Sequence, residues 1–150
     1  MLNRDFKDML RCLLAEKVDF LLVGGYALAA HGHPRATKDM DIWVWSAPNN
    51  SERLYRALSK FGAPLDQITP HEFAAEGIVF QVGVAPNRID IITKADGVDF
   101  VECQRNAISL NLEGIEIPVI SKQDLILNKQ ASARPQDLVD VGLLEKASKK

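Results

Sequence analysis

The chain has few of the features that mark secreted, membrane-bound or metal-stapled proteins. It contains two cysteines in 150 residues, Cys12 and Cys103. Neither lies in a CxxC motif or at metal-ligand spacing from a histidine, so the sequence predicts no zinc site and no disulfide framework. No apolar run approaches the roughly 18 residues of a membrane span, and the charged N-terminus lacks the apolar segment of a signal peptide. We expect a cytoplasmic protein with no membrane partner and with reduced, packed thiols.

The chain also lacks a strong excess of charge of either sign. Its formal net charge of −2 argues against a protein built wholly around electrostatic attraction to nucleic acid, although a local basic patch is compatible with it. Internal repeats and low-complexity linkers are absent too. With 47% hydrophobic and 25% charged residues the composition is that of a globular protein. A chain of this length can bury a core of its own, so we expect one domain over residues 1–150.

The stretch from residue 23 to residue 42 carries most of the functional signal. Residues 19–23 have the composition of a buried strand, which ends at Gly24 and Gly25. The Ala- and Leu-rich residues 26–31 are predicted to be a helix. A glycine pair between a strand and a helix offers free backbone N–H groups and the positive end of a helix dipole, which favours phosphate binding. A plain tight turn is the alternative interpretation of the pair on its own.

Acidic residues on predicted strands form the second part of this signal. Alternate side chains of a strand point to one face, so Asp39 and Asp41 should project together from a strand over residues 39–45. Asp90 is a lone charge in an apolar strand predicted for residues 88–93. A buried carboxylate there needs a cation, solvent or a salt-bridge partner. Three neighbouring carboxylates repel one another unless divalent cations lie between them, and oxygen ligands of this type suit Mg²⁺.

The remaining pattern predicts an α/β or α+β fold in which a mixed twisted sheet is flanked by helices. Ser51 is predicted to cap a helix that ends at Gly62, and an irregular segment around Pro70 is expected on the surface. We expect a core over about residues 18–120, followed by helices over about residues 121–147. Further predicted elements are a helix over residues 3–17, hairpins over residues 78–93 and 107–120, and a last helix that starts at Arg134 and Pro135 and buries Leu138, Val141 and Leu144.

The order and spacing of these motifs resemble a known signature. Residues 23–25 (Val-Gly-Gly) are followed by thirteen residues, then by Asp-Met-Asp-Ile at residues 39–42, and later by Ile-Asp-Ile at residues 89–91. This ordered set is similar to the signature of the DNA polymerase beta-like nucleotidyltransferase superfamily. In that family the glycine turn, which often includes a serine, binds the nucleotide triphosphate. Here position 25 is glycine, so backbone amides must replace the serine hydroxyl.

The resemblance assigns roles to individual residues. It implies that Gly24 and Gly25 bind the triphosphate, and that Asp39, Asp41 and Asp90 are the catalytic, metal-binding residues. The first two would bind two Mg²⁺ ions, with Mn²⁺ as a substitute. Asp90 would bind one of the ions and assist deprotonation of the acceptor. The expected product is an acceptor that carries a nucleoside monophosphate, released with pyrophosphate.

The residues that flank this signature offer further candidates for nucleotide binding. Arg35 and Thr37, just before the first aspartate, either contact the phosphates or pair locally. The C-terminal part is similar to toxin and abortive-infection type nucleotidyltransferases, in which a helix lysine and a following acidic residue complete the site. Lys129 matches this lysine and is expected to neutralise triphosphate charge, with Asp137 or Asp140 as the acidic residue.

The predicted activity is therefore Mg²⁺-dependent transfer of a nucleotide from an NTP, such as ATP, to a hydroxyl acceptor. The acceptor is RNA such as tRNA, a protein or a small molecule, and the protein is a candidate component of a toxin-antitoxin system. A catalytically inactive nucleotide-binding or interaction module is the alternative. A domain this short lacks an obvious acceptor-binding module, so a homodimer or a partner protein is expected to supply one.

Overall fold

A mixed sheet of six strands lies at the centre of the computed structural model, which describes residues 2–33, 39–84 and 87–148, with side chains described to residue 146. The strand order is β3-β4-β2-β1-β6-β5. In chain order the elements are α1 (Arg4–Ala15), β1 (Phe20–Val23), α2 (Gly24–Ala30), β2 (Met40–Val44), α3 (Pro48–Phe61), a 3₁₀ helix (Pro70–Ala74), β3 (Val79–Val82), β4 (Ile89–Ile92), α4 (Phe100–Asn106), β5 (Ile108–Leu112), β6 (Ile115–Val119), α5 (Lys122–Ser132) and α6 (Pro135–Ser148). This architecture confirms the predicted fold class.

Parallel and antiparallel pairs alternate across the sheet. Strands β2 and β4 are parallel, as are β1 and β6, whereas the β1–β2 pair and the two edge hairpins, β3–β4 and β5–β6, are antiparallel. Because β1 and β2 are antiparallel, the end of β1 lies beside the beginning of β2. The glycine turn after β1 and the aspartates at the start of β2 therefore meet at the same edge of the sheet.

The two central strands bury apolar side chains on both faces. All four residues of β1 are buried, as the continuous apolar run predicts. In β2, Met40, Ile42 and Val44 are fully buried on one face. On the other face Trp43 contacts Phe100 of α4 edge-to-face, with ring centroids 5.2 Å apart. The central strands are thus held from both sides, which fixes the position of the aspartates that alternate with these residues.

Helices α1 and α3 pack together and close the core around the start of the chain. The side chain of Asn3 caps α1 by accepting a hydrogen bond from the backbone N–H of Phe6, 2.8 Å away. Phe6 is fully buried and its ring meets Tyr26 of α2 edge-to-face at 5.5 Å. Among the described residues, no helix combines the length and the hydropathy that crossing a membrane requires.

Several predicted details were wrong, each for a local reason. Helix α3 begins at Pro48, before the predicted cap Ser51, because proline suits the first turn of a helix; the Ser51 hydroxyl donates to the Pro48 carbonyl instead. The segment around Pro70 is on the surface as expected, except that the side chain of Phe73 is fully buried. Helix α4 was not predicted at all; the side chain of its capping residue Asp99 accepts a hydrogen bond from the Glu102 N–H.

The stripe predicted to be buried in the last helix is only partly correct. Val141 and Leu144 are buried, but Leu138 is 53% exposed. The face of α6 that packs inward carries Asp137 and Asp140 together with these apolar residues. Asp137 and Asp140 are therefore buried, although the periodicity of apolar residues predicts them on the exposed face of the helix.

Candidate active site

Gly24 forms the turn between strand β1 and helix α2. Its φ of +67° lies in the left-handed region, which glycine adopts at little cost because it has no Cβ. A Cβ placed at this position would overlap Oδ2 of Asp41 and would lie 3.1 Å from Cγ of the same side chain. The backbone of the turn is therefore in direct contact with the Asp41 carboxylate, and no larger residue fits unless that carboxylate moves.

Asp41 lies between two neighbouring strands in the sheet register. It is opposite Val23 of β1 on one side and opposite Asp90 of β4 on the other. Asp39 lies just before β2, and its Oδ1 accepts a hydrogen bond of 3.0 Å from the backbone N–H of Arg88. The structure thus brings all three predicted carboxylates to one edge of the β2–β4 pair, beside the end of β1.

The negative charge of this group is least compensated at Asp41. Burial, and then the charges of Asp90 and Asp39, raise the pKa of Asp41 to about 6. Each of these effects disfavours the ionised carboxylate. A cation placed beside Asp41 would relieve the repulsion.

Arg88 is a member of the site that the sequence prediction missed. Its Nε lies 2.7 Å from Oδ1 of Asp90, and its Nη2 lies 3.1 Å from Oδ2 of Asp90 and 3.3 Å from Oδ2 of Asp39. The salt-bridge alternative for Asp90 is therefore realised in this structure. Arg88 lies two residues before Asp90, and this period-2 spacing, which puts both side chains on one face, was the signal that could have identified it.

A second charged cluster joins the two C-terminal helices. Lys129 of α5 is buried, and its Nζ lies 2.8 Å from Oδ2 of Asp140 and 3.7 Å from Oδ1 of Asp137 on α6. Both predicted acidic candidates therefore contact the predicted lysine. Burial would raise the pKa of Asp137, but hydrogen bonds from Arg134 and Ser132 outweigh it and hold that pKa below its usual value. Arg134 Nε lies 2.7 Å from Oδ2 of Asp137.

A cavity of about 450 Å³ connects the two clusters. Gly24 and Asp41 contribute to one wall, residues that follow β4 contribute to another, and α5, α6 and their connection close it. The lining residues are Val23, Gly24, Asp41, Val79, Ile92, Lys94, Ala95, Asp96, Asn128, Lys129, Ser132, Arg134 and Asp137. The cavity therefore unites the glycine turn, one aspartate of the signature and the predicted helix lysine, which are far apart in the sequence.

The predicted site residues fall into three groups. Gly24, Asp41 and Lys129 line the cavity. Gly25, Asp39 and Asp90 lie beside it but are not part of its lining. Arg35 and Thr37, which were predicted to contact the phosphates or to pair locally, lie outside the described residues. Sequence reasoning did not select Lys94 or Arg134, two cations of the lining, and their exposure at element ends gives no periodic signal.

The donor chemistry of the site suits a hard divalent cation, although the oxygen atoms are not gathered into a ready-made site. Within residues 2–33, 39–84 and 87–148, no group of three or more His, Cys, Asp or Glu side chains is arranged to hold a metal ion. In this structure Arg88 is the cation that lies between Asp39 and Asp90. Carboxylate oxygens are nevertheless the ligands that Mg²⁺ prefers, and Asp41 carries the charge excess that such an ion would offset.

A glycine turn in contact with strand aspartates, on a mixed sheet of this order, defines a small polymerase beta-like nucleotidyltransferase. The chain belongs to the family described as nucleotidyltransferase of unknown function (DUF6036), whose model matches residues 4–145. The resemblance noted in the sequence is thereby confirmed, and so is the prediction that the protein is an enzyme of the nucleotidyltransferase class. No curated protein matches the chain.

Solved structures support the fold. TM1012 from Thermotoga maritima is 18% identical, with a TM-score of 0.62 over 97% of this chain and 88% of that one. The lincosamide antibiotic adenylyltransferase LnuA, solved with lincomycin bound, is 16% identical, with a TM-score of 0.62 over 97% of each chain. ANT(2″)-Ia, solved in complex with adenylyl-2″-tobramycin, is 14% identical, with a TM-score of 0.62 over 95% of this chain and 86% of that one.

Proposed function

We propose that this protein transfers a nucleoside monophosphate from an NTP to a hydroxyl-bearing acceptor in a Mg²⁺-dependent reaction. The contact between the Gly24 turn and the Asp41 carboxylate carries the proposal. It places the backbone N–H groups of the first turn of α2, of the kind that favours phosphate, next to oxygen ligands that favour a divalent cation. A metal-bound triphosphate needs both of these surfaces together.

The proposed roles follow from what each side chain contacts. The backbone amides of Gly24 and Gly25 bind the phosphates, and Asp39, Asp41 and Asp90 hold one or two divalent ions. When bound, such ions neutralise the charge of the transferred phosphoryl group and of the leaving pyrophosphate. Asp90 accepts the proton of the attacking hydroxyl, but only after its hydrogen bonds with Arg88 are released, because both of its oxygens accept from that guanidinium.

Cations in the cavity complete the proposed nucleotide site. Lys129 forms an ion pair with Asp140 and lies near Asp137. These two carboxylates therefore balance most of its positive charge within the protein. Lys94 and Arg134 also line the cavity, and both are exposed, Arg134 also while it pairs with Asp137. We assign them the contact with the phosphate tail, since exposed cations lose less hydration when they bind an anion.

The acceptor is the part of the proposal that rests on analogy. LnuA and ANT(2″)-Ia were solved with an antibiotic and with an adenylylated antibiotic, respectively, which makes a small polyhydroxylated molecule one candidate class. RNA such as tRNA and protein hydroxyls are the others. We further propose that the enzyme is cytoplasmic and acts alone, as a homodimer or with a partner chain. We also propose a role in a toxin-antitoxin system. Arrest of growth when the protein is expressed would support that role.

The deciding experiment incubates the protein with each NTP labelled on the α-phosphate, Mg²⁺ and separate pools of RNA, protein and small metabolites. We expect the wild-type protein to transfer label to one of the pools. Asp41→Asn and an EDTA-treated sample should transfer none. A thermal shift with Mg²⁺-NTP but no transfer to any pool contradicts the proposal and supports an inactive nucleotide-binding module.

A further inference from the structure

Arg88 engages both carboxylates that flank Asp41. The two oxygens of Asp90 each accept a hydrogen bond from its guanidinium, at 2.7 and 3.1 Å. Asp39 receives the backbone N–H of Arg88 on one oxygen, at 3.0 Å, and lies 3.3 Å from Nη2 with the other. A single residue therefore contacts all four oxygens of these two side chains.

We propose that Arg88 is an internal counterion that occupies the place of a divalent cation between Asp39 and Asp90, and that cation binding requires its displacement. This inference rests on the proposed function only in taking these aspartates as cation ligands. It adds a residue outside the signature that sets how readily the site accepts a metal.

Electrostatics makes the two occupants exclude each other. A guanidinium cannot be deprotonated in a protein, so its charge is present at every pH at which the fold is stable. A divalent cation on the same oxygens would lie a few ångströms from this positive charge, and at such a distance like charges repel strongly at the low effective dielectric of a partly buried site. The paired oxygens are also already used as hydrogen-bond acceptors, so binding of the metal breaks those bonds.

The position of Arg88 permits such an exchange. It lies immediately before β4, which begins at Ile89. Its carbonyl accepts a hydrogen bond from the Met40 N–H and its N–H donates to Asp39, so the backbone is held and only the side chain has to move. Its side chain is 28% exposed, whereas that of Asp90 is 13% exposed. The guanidinium of Arg88 can therefore rotate toward solvent, while strand β4 keeps the carboxylate of Asp90 in place. Among the described residues, Asp41 accepts no hydrogen bond from Arg88, so a metal can bind this carboxylate without breaking such a bond.

The primary test measures Mn²⁺ binding to the protein without nucleotide, by calorimetry or by the loss of the free-ion electron paramagnetic resonance signal. Arg88→Gln should bind Mn²⁺ about tenfold more tightly than the wild type, equivalent to about 1.4 kcal/mol. The matched control is Arg56→Gln. It also removes an arginine paired with a carboxylate, Glu16 at 3.0 Å, but it should leave Mn²⁺ affinity unchanged. Equal or weaker Mn²⁺ binding by Arg88→Gln would overturn the inference.

A second measurement uses the wild-type protein and so does not depend on the folding of that variant. The Nε–H group of Arg88 is held by Asp90 and should give a distinct nitrogen-proton resonance, which is assigned by its absence in Arg88→Lys. Titration with Mg²⁺ should shift or broaden this resonance in parallel with binding. If Mg²⁺ binds and the resonance does not change, Arg88 stays in place and the inference is wrong.

The failure of this inference can be told apart from failure of the proposed function. In one outcome the wild type binds Mn²⁺, Asp41→Asn does not, and Arg88→Gln binds no more tightly than the wild type. The proposed metal site then stands, and only the inference about Arg88 is wrong. Absence of Mn²⁺ binding in both the wild type and Arg88→Gln overturns the proposed metal site and the inference together.

Discussion

Gly24 lies where a backbone turn and a carboxylate come into contact, and this gives its substitution two separable effects. Gly24→Ala should lose about 1 kcal/mol of unfolding free energy from the positive φ alone. Because the added Cβ overlaps Asp41 Oδ2, it should also abolish nucleotidyl transfer. Urea unfolding and the transfer assay measure the two effects.

Gly62 provides the matched control for that substitution. Its φ is +94°, and a Cβ there has no neighbour within 4 Å. Gly62→Ala should therefore show a comparable loss of stability with full activity. If both variants are equally active, the contact between Gly24 and Asp41 is not needed for the reaction.

Asp41 illustrates a residue whose charge opposes folding. Its pKa in the folded protein, about 6, lies above the ordinary value of 3.8 for an aspartate. The ionised form is thus less favourable in the folded state, a cost that is absent well below pH 4 and complete above about pH 6. We predict that metal-free Asp41→Asn is at least as stable as the wild type at pH 8, and that the wild type loses stability relative to it as the pH rises from 4 to 6.

Thermal unfolding in EDTA across this pH range measures the effect. A metal-free Asp41→Asn protein that is clearly less stable than the wild type at pH 8 contradicts it. The same variant should be inactive at every pH, because the neutral amide lacks the negative charge through which the proposed site would hold Mg²⁺.

At the scale of elements, helices α5 and α6 are joined by a buried ion pair. Lys129→Met should destabilise the protein by about 3 kcal/mol, because it leaves the buried charges of Asp140 and Asp137 without the ammonium group. The double variant Lys129→Met/Asp140→Asn should recover part of this loss, since it also removes one of those charges. Urea unfolding of the two variants tests the coupling. Equal stability of the single and double variants would show that the pair is not energetically linked.

At the scale of the whole molecule, the C-terminal helices belong to the same hydrophobic core as the sheet. Leu125 of α5 and Leu144 of α6 are fully buried in the cluster that contains Leu22 of β1 and Val119 of β6. We predict that a chain ending at residue 120 loses cooperative thermal unfolding, because it exposes the apolar surface that these helices cover. Calorimetry and size-exclusion chromatography provide the measurement. A sharp transition near that of the full chain would make the helices an independent addition.

The two cysteine thiols are expected to be unreactive as long as the whole molecule stays folded. Burial, followed by the charge and hydrogen bond of Asp124, raises the pKa of Cys103 to about 12, and burial also raises the pKa of Cys12. A thiol that stays protonated is a poor nucleophile. A Cys12→Ser protein should therefore react with a thiol reagent at pH 8 only after unfolding, and reductant should not change the unfolding temperature. Fast reaction of the folded variant contradicts this.

Much of the fold and of the candidate site was accessible from the sequence because the signals are local. The apolar run of β1, its end at Gly24 and the alternation of Asp39 and Asp41 depend on side-chain chemistry and strand geometry alone. The spacing of these motifs with Asp90 gave the nucleotidyltransferase class, which the family match confirms. The roles of the individual residues stay predictions.

The tertiary structure alone decided which charges meet. The register of β2 with β4 places Asp41 opposite Asp90 and lets Arg88 contact the carboxylate of Asp39, which is 49 residues away in sequence. The packing of α5 on α6 decides that Asp140, one of the two acidic candidates offered for the site, is the nearer partner of Lys129. Such partnerships depend on distances across elements that are not adjacent in sequence, and Coulomb and hydrogen-bond energies change steeply with those distances. The sequence determined that a glycine turn would face acidic strands, and the fold determined which cation lies between them.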